Sequence, residues 1–309
     1  MLTGRALGDP SIVAVGRGRL MVATGPRVLR ASLRHGSRHW RWERQALTRL
    51  PRWARQTGGV WAPDLAYIDR RWVLYFAAPV RGLGGSARCI GVATSPSAYG
   101  PFRPSDRRPL VCQKGVRAPR AYDMAAPHGL RHRGVIDPSY FRDRSGRSYL
   151  LYKTAGEPST IRIVPLAHGG LARRRHTHSH ELVRSRGTIE NPTVIRTGRR
   201  YFLLTSEGSW STCGYRETWR ESRNLRSWPH AGHPLMTQRS MRGVCGPGGA
   251  DVVRTGRRTT VYFHGWVGHR SSVPLRATHN VGDRGRRALY AARLRWRHGH
   301  PAVRGWIRR

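Results

Sequence analysis

Apolar and polar positions alternate in short runs along this chain, and the runs come in pairs separated by a polar turn. After Asp9-Pro-Ser comes the apolar run Ile12-Val-Ala-Val, then the turn Gly16-Arg-Gly-Arg, then Leu20-Met-Val-Ala. The same layout returns from Ala62-Pro-Asp, Asp137-Pro-Ser, Asn191-Pro-Thr and Gly249-Ala-Asp, with aromatic-rich second runs around Tyr75-Phe76, Tyr152, Tyr201-Phe202 and Tyr262-Phe263. Strand, tight turn, strand predicts a β-hairpin in each unit. The units start about 50 to 75 residues apart, and further strand-like runs lie between them, at Cys89-Ile-Gly-Val and Thr160-Ile-Arg-Ile. Each unit therefore has room for a four-stranded sheet. Five such sheets repeated around an axis make an all-β, five-bladed β-propeller, with residues 1–309 as a single domain. A β-sandwich with irregular loops is the competing architecture. The run from Ala288-Leu-Tyr-Ala-Ala onward reads as the last or closing strand of the ring.

Composition adds two facts. The 11 Trp and 11 Tyr exceed what a minimal core needs, and such rings also stack on the apolar faces of sugars. The formal charge of +41, from 57 Lys and Arg against 16 Asp and Glu, is almost all arginine, since Lys114 and Lys153 are the only lysines. Such a charge suits a polyanion, or it records a coding preference for Arg. The arginines run from end to end, many in turns such as Arg17-Gly-Arg19 and Gly198-Arg-Arg200, with no separate basic block, which favours the coding preference. Weak, salt-sensitive polyanion binding is expected either way. No run of 18 apolar residues is present to span a membrane, and the start Met1-Leu-Thr-Gly-Arg does not read as a signal peptide. Cys89 with Cys112, and Cys213 with Cys245, suit two local disulfides and an oxidising compartment; four buried thiols are the alternative. The alternating His176, His178 and His180 could hold a metal or lie on a solvated strand or loop.

In a propeller the innermost strands face one axis, so residues at one place in each repeat share a central pocket. Asp9 and Asp137 stand at the head of their repeats, and Glu190 stands one residue earlier than the register predicts. Proline after Asp9 and Asp137 is expected to push each aspartate to extended geometry. Convergent carboxyls suit glycoside hydrolysis, in which one protonated group serves the leaving oxygen and one ionised group activates water. Taken singly, each aspartate could simply cap a turn. Two at one register and a third one residue before it, among 16 acidic residues, point to catalysis.

Several stretches carry a resemblance to a known family. They are Gly8-Asp-Pro-Ser-Ile12, the segment from Gly59 to Ala78 with its Trp61-Ala-Pro-Asp64 motif, Cys89 to Ser95 followed by Gly100-Pro-Phe102, Val135 to Lys153, Ile189 to Ser206, and Tyr262-Phe-His-Gly-Trp266. Over nearly its full length the chain resembles family 43 of the glycoside hydrolases. The resemblance implies a five-bladed propeller and an inverting hydrolase acting on arabinose- or xylose-containing polysaccharides or oligosaccharides. It implies Asp9 as general base, Asp137 as the residue that orients the acid and tunes its pKa, and Glu190 as general acid. Trp61 would be a sugar-stacking platform or a core residue. His264 would lie near the axis, associated with a cation, or be a core histidine. Arg242, in the glycine-rich segment before Asp251, could reach sugar hydroxyls, while a turn tied by Cys245 is the plainer reading. Asp64 reads as structural.

No cofactor is required by this reading. The resemblance leaves room for a structural calcium, although the chain has no dedicated acidic calcium loop. The expected partner is a carbohydrate substrate, with no specific nucleic acid, no membrane and a monomeric state. The family and the cysteines imply an extracellular protein. Arginines crowding the pocket would favour ionised carboxylates and work against a protonated Glu190. A non-catalytic glycan-binding propeller is therefore the alternative, and a polyanion-binding protein the third.

Overall fold

The computed structural model describes residues 2, 6–83, 85–113, 133–267 and 286–307. Its strands form five four-stranded antiparallel sheets, each made of consecutive strands. The first blade holds β1 (Ser11–Val15), β2 (Gly18–Ala23), β3 (Leu29–Leu33) and β4 (Arg41–Trp42). The second holds β5 (Trp61–Ile68), β6 (Arg71–Pro79), β7 (Arg88–Ser95) and β8 (Arg103–Pro104). The third holds β9 (Val135–Arg142), β10 (Ser148–Thr154), β11 (Ser159–Pro165) and β12 (His180–Ser185). The fourth holds β13 (Ile189–Thr197), β14 (Arg200–Glu207), β15 (Arg216–Ser222) and β16 (His233–Met236). The fifth holds β17 (Cys245–Thr255), β18 (Arg258–Val267), β19 (Arg286–Arg297) and β20 (His300–Trp306). This is the five-bladed β-propeller that the repeats predict. No helix is long and apolar enough to cross a membrane among the described residues.

The tight turns follow from the residues that make them. Asp69 and Arg70, between β5 and β6, both have positive φ (45° and 64°), as a two-residue hairpin with the strands' own twist requires. Apolar side chains then pack between neighbouring blades. Leu20 and Val22 meet Leu74 and Phe76. Tyr75 and Val92 meet Leu150 and Val164. Leu151 and Ile163 meet Leu203, and Phe202 and Leu204 meet Val261 and Phe263. Met21 and Ala31 meet Tyr262 and Leu289, which joins the last blade to the first. Burial of each large side chain contributes roughly 1.5–3 kcal/mol, so the ring is held by five apolar seams rather than one central core.

The C-terminal run supplies the two outer strands of the fifth blade. Closure is made by the N-terminal segment, where the Leu2 N–H donates to the Leu289 carbonyl (2.7 Å) and the Leu7 N–H to the Arg287 carbonyl (2.9 Å). Both cysteine pairs are disulfides: Cys89–Cys112 within the second blade's surroundings, and Cys213–Cys245 between the β14–β15 connection and the start of β17.

The heads of the inner strands differ from the sequence expectation. Asp9, Ala62, Asp137, Asn191 and Gly249 occupy one register position, and all five have left-handed φ, at 52°, 39°, 55°, 49° and 61°. The extended geometry expected before proline is therefore not adopted. The ladders show why: the pairing of β5, β9, β13 and β17 with their neighbours slips just there. A bulge at each slip overrides the proline preference and re-aims the side chain toward the axis. Aspartate, asparagine and glycine tolerate this conformation better than other residues.

Candidate active site

The bulges at the heads of β9 and β13, and the turn before β1, bring three carboxyl groups from three blades into one hydrogen-bonded network. Asn191 is its hub. Its backbone N–H donates to Asp137 Oδ2 (3.0 Å), and its side-chain Nδ2 donates both to Asp9 Oδ1 (3.4 Å) and to the Tyr215 hydroxyl (3.1 Å). Tyr215 in turn donates to Glu190 Oε1 (2.8 Å). Asn191 stands at the register position of Asp9 and Asp137, and Glu190 stands one residue before it. That offset puts Glu190 against Lys153 on β10 and Tyr215 just before β15. Asp9, Asp137 and Asn191 also line a narrow channel of about 40 Å³.

Each carboxyl has its own support. Thr24, just after β2, donates its hydroxyl to Asp9 Oδ2 (2.6 Å), and the Asp9 N–H donates to His264 Nδ1 (3.0 Å). Lys153 on β10 places Nζ 2.6 Å from Glu190 Oε2, so both Glu190 oxygens accept hydrogen bonds. Asp137 is buried, and burial together with the neighbouring Glu190 charge pushes its carboxyl up to about 8, against the opposing pull of Lys153. Burial would lower the Lys153 ammonium, but Glu190 and Asp137 outweigh it and hold the group above its ordinary value. The cation at the general-acid candidate is thus a lysine, not one of the many arginines.

Behind this layer, His264 and Tyr215 stack nearly parallel, with centroids 5.8 Å apart. A Cβ at Gly248 would strike the Tyr215 ring, and one at Gly249 the His264 ring. The glycine-rich stretch therefore serves close packing beneath the carboxyls. Ser206 ties the same layer together by accepting from the Gly249 N–H and donating to Glu217 Oε2, both at 2.7 Å.

The other sequence-predicted residues fall as follows. Trp61 carries the Arg88 guanidinium 3.0 Å above its ring, so one face is covered. His264 is fully buried and meets the Asp9 backbone instead of a ligand. Arg242 lies outside the network, in a shallow cavity with Val303 and Trp306 at the outer edge of the fifth blade. Asp64 accepts from the Ser11 hydroxyl and the Tyr140 N–H, which makes it a tie between blades. His178 and His180 line a cavity of about 740 Å³ beside the β9–β10 turn, at the far end of the inner strands from the carboxyls. His176 faces an adjoining cavity of about 760 Å³. No group of three or more His, Cys, Asp or Glu is placed to hold a metal among the described residues.

Sequence reasoning missed Asn191, Thr24, Tyr215, Lys153, Trp210 and Arg287. Trp210, in the β14–β15 connection tied by Cys213, is exposed and stacks on Trp266 with centroids 6.0 Å apart. The Arg287 guanidinium lies 4.9 Å from the Trp210 ring, and its Nη1 is 3.3 Å from His264 Nε2. The register position could have found Asn191, and the scarcity of lysine could have found Lys153. Nothing local marks the rest.

Calcium does not fit the residues around His264. Nδ1 already accepts from Asp9, so the neutral ring carries its proton on Nε2, the atom beside Arg287. Burial, then the Arg287 charge, push this imidazole well below its usual value, and the same guanidinium opposes a dication. In the channel, Asp64 and Asp251 already accept backbone N–H groups, from Tyr140 and from Ile12 and Val252.

A family profile, described as glycosyl hydrolases family 43, matches residues 3–301. Among curated proteins, the chain is 25% identical over 283 residues to a putative beta-xylosidase of Escherichia coli, covering 81% of this chain and 45% of that protein. It is 27% identical over 108 residues to an extracellular endo-alpha-(1->5)-L-arabinanase of Thermotoga petrophila, covering 32% of this chain and 21% of that one. The chain thus spans less than half the length of these curated relatives. Among solved structures, a thermostable family-43 glycoside hydrolase superposes with a TM-score of 0.74 at 19% identity, over 98% of this chain and 95% of that one. The Cellvibrio cellulosa alpha-L-arabinanase complexed with arabinohexaose gives 0.72 at 19% identity, over 98% and 96%. By the match across nearly its whole length, this chain belongs to family 43 of the glycosyl hydrolases.

Proposed function

We propose that this propeller is an inverting glycosidase that hydrolyses O-glycosyl bonds in arabinose- or xylose-containing glycans. The observation that carries the reading is the single network joining Asp9, Asp137 and Glu190 through Asn191 and Tyr215. Asp9 is the general base. Thr24 and Asn191 fix its two oxygens, and it keeps the larger exposure, 17% of its side chain against 10% for Glu190. It takes a proton from water as that water attacks the anomeric carbon. Glu190 is the general acid, giving the leaving oxygen the proton that it shares with the neighbouring Asp137. Trp210, exposed and backed by Trp266, offers a face on which a sugar ring can stack. The choice of pentose rests on the names of the relatives, an arabinanase and a putative xylosidase. An extracellular site of action rests on the name of one relative and on the two disulfides.

The test is turnover of nitrophenyl arabinofuranoside, nitrophenyl xyloside and arabinan. Hydrolysis of one or more, lost in Asp9→Asn and Glu190→Gln, is expected. No turnover on any, or undiminished turnover in Glu190→Gln, would overturn the assignment.

The far end of the blades favours a second, accessory reading as a polyanion-binding surface. There Arg142, Arg147, Arg174 and Arg226, from three separate stretches, surround one cavity with Asp69. Retention of polygalacturonate that falls steeply with salt, and is weakened in Arg174→Ala with Arg226→Ala, would support it. Retention unchanged by those substitutions would count against it.

A further inference from the structure

Lysine is the rarest cation in this chain. Only Lys114 and Lys153 stand against arginines everywhere else. A composition that supplies Arg wherever a cation suffices leaves Lys where a planar guanidinium cannot serve, because the two are not interchangeable at a tight site. Lys153 is at such a site. It lies on β10 where the pairing with β9 slips around Asp137 and Pro138. Its side chain is 7% exposed, and Nζ is 2.6 Å from Glu190 Oε2.

We propose that Lys153 is a positioning residue that fixes Glu190 and, through its charge, limits the Asp137–Glu190 pair to one proton, held less tightly than it would be without the ammonium. This rests on the carboxyl roles given above. Two carboxyls and one ammonium are electrically neutral when one proton is shared between the carboxyls. That is the arrangement a dry site tolerates best, since an unbalanced buried charge is costly. The raised Asp137 carboxyl agrees with it.

The groups facing this triplet come from several elements. The Tyr215 hydroxyl donates to Glu190. Asp9 adds negative charge on the Asp137 side, and Glu157, beyond the end of β10, adds it on the Lys153 side. Glu217, on β15, is a buried carboxyl pushed up to about 8 by burial and thus neutral near pH 7. His264, stacked on Tyr215, stays neutral. Lys153 is therefore the one cation in direct contact with the pair among the described residues.

The charge has a chemical consequence. When Glu190 passes its proton to the leaving oxygen, a carboxylate is left in a dry pocket. An ammonium 2.6 Å away stabilises that carboxylate as it forms. No bond to Lys153 forms or breaks.

The test compares Lys153→Met, which removes the charge at similar length, with Lys153→Arg, which keeps it. In the pH profile of kcat/KM, the alkaline limb of Lys153→Met should move up by about one pH unit or more, while kcat falls roughly 10-fold or more. Lys153→Arg should keep the limb near its original position. A role confined to packing would lower the rate and leave the limb in place, and that result would overturn the proposal. Carbon-13 NMR titration of the Asp and Glu carboxyl carbons gives a readout without turnover. The carboxyl that titrates near pH 8 in the parent should titrate higher in Lys153→Met. If it does so in a chain that hydrolyses no glycoside, the lysine's role stands and the catalytic reading fails. If it does not move, the lysine's role fails, whatever the activity. Should Lys153→Met fail to fold, Lys153→Gln gives the same comparison.

Discussion

Asp9 and Asp64 both stand at the heads of inner strands and line the same narrow channel, yet they do different work. Asp64 accepts the Ser11 hydroxyl from the first blade and the Tyr140 N–H from the third. Asp251, in the fifth blade, likewise accepts the Ile12 N–H from the first and the N–H of its own neighbour Val252. These two carboxyls staple blades together, and their oxygens are filled by groups that cannot turn away. Asp9 and Glu190 instead take part in a network of side chains, those of Thr24, Asn191, Tyr215 and Lys153, which can re-form around a ligand, while Asp137 accepts the Asn191 backbone N–H. Residue type does not separate the two groups, although Asp64 and Asp251 lie two residues further along their strands than the register of Asp9 and Asp137. The partners do.

The comparison breaks most sharply under substitution. Glu190→Gln and Asp9→Asn should lower kcat/KM by about 10²–10⁴-fold, the usual worth of a general acid or base, while urea denaturation shows a folded chain. Asp64→Ala should do the reverse. It leaves the Tyr140 N–H and the Ser11 hydroxyl without their acceptor, so stability in urea should fall by roughly 1–3 kcal/mol with kcat of the folded fraction nearly unchanged. A large kcat loss in Asp64→Ala at full stability would erase the distinction.

The pH dependence of stability sharpens it further. Burial pushes Asp64 up to about 6, Asp251 to about 7 and Glu217 to about 8. Groups that bind protons more tightly when folded add stability that is complete below about pH 4 and is lost as pH rises through these values. Stability should therefore decline between about pH 4 and pH 8. Glu217→Gln should flatten the upper part of that decline, matching the parent at pH 4 and exceeding it by about 1 kcal/mol or more at pH 9 in urea titrations. The smallest expected effect concerns calcium. With Arg287 beside His264 and the channel aspartates already satisfied, EDTA or added calcium should shift Tm by no more than about 1 °C, because an ion that does not bind the folded state cannot stabilise it.

Much of this was legible in the sequence. Five hairpins announced five blades, and the two cysteine pairs formed as their spacing suggested. The three carboxyls could be read from the register and the family motifs together. The geometry at Asp9 and Asp137 could not, because the positive φ comes from the turn before β1 at Asp9 and, at Asp137, from a bulge that depends on how the neighbouring strand pairs, while the proline rule alone pointed elsewhere. Tyr215 and Thr24 lie in connections beside the strands of the same blades as the carboxyls they hold, well separated in sequence, so no local period marks them. The burial of His264 and its bond to the Asp9 backbone are long-range facts. Arg242 sits in a loop whose course the glycines did not reveal. Lys153 was visible as one of two lysines, and its meaning appeared only when the fold set it against Glu190.

The three-carboxyl network is tested most directly by following one turnover assay by proton NMR, with an arabino-oligosaccharide or a nitrophenyl pentoside as substrate. The network predicts that the parent releases a sugar whose anomeric configuration is first seen inverted, and that folded Glu190→Gln releases almost none. Release with retained configuration, or equal release by Glu190→Gln, would contradict it.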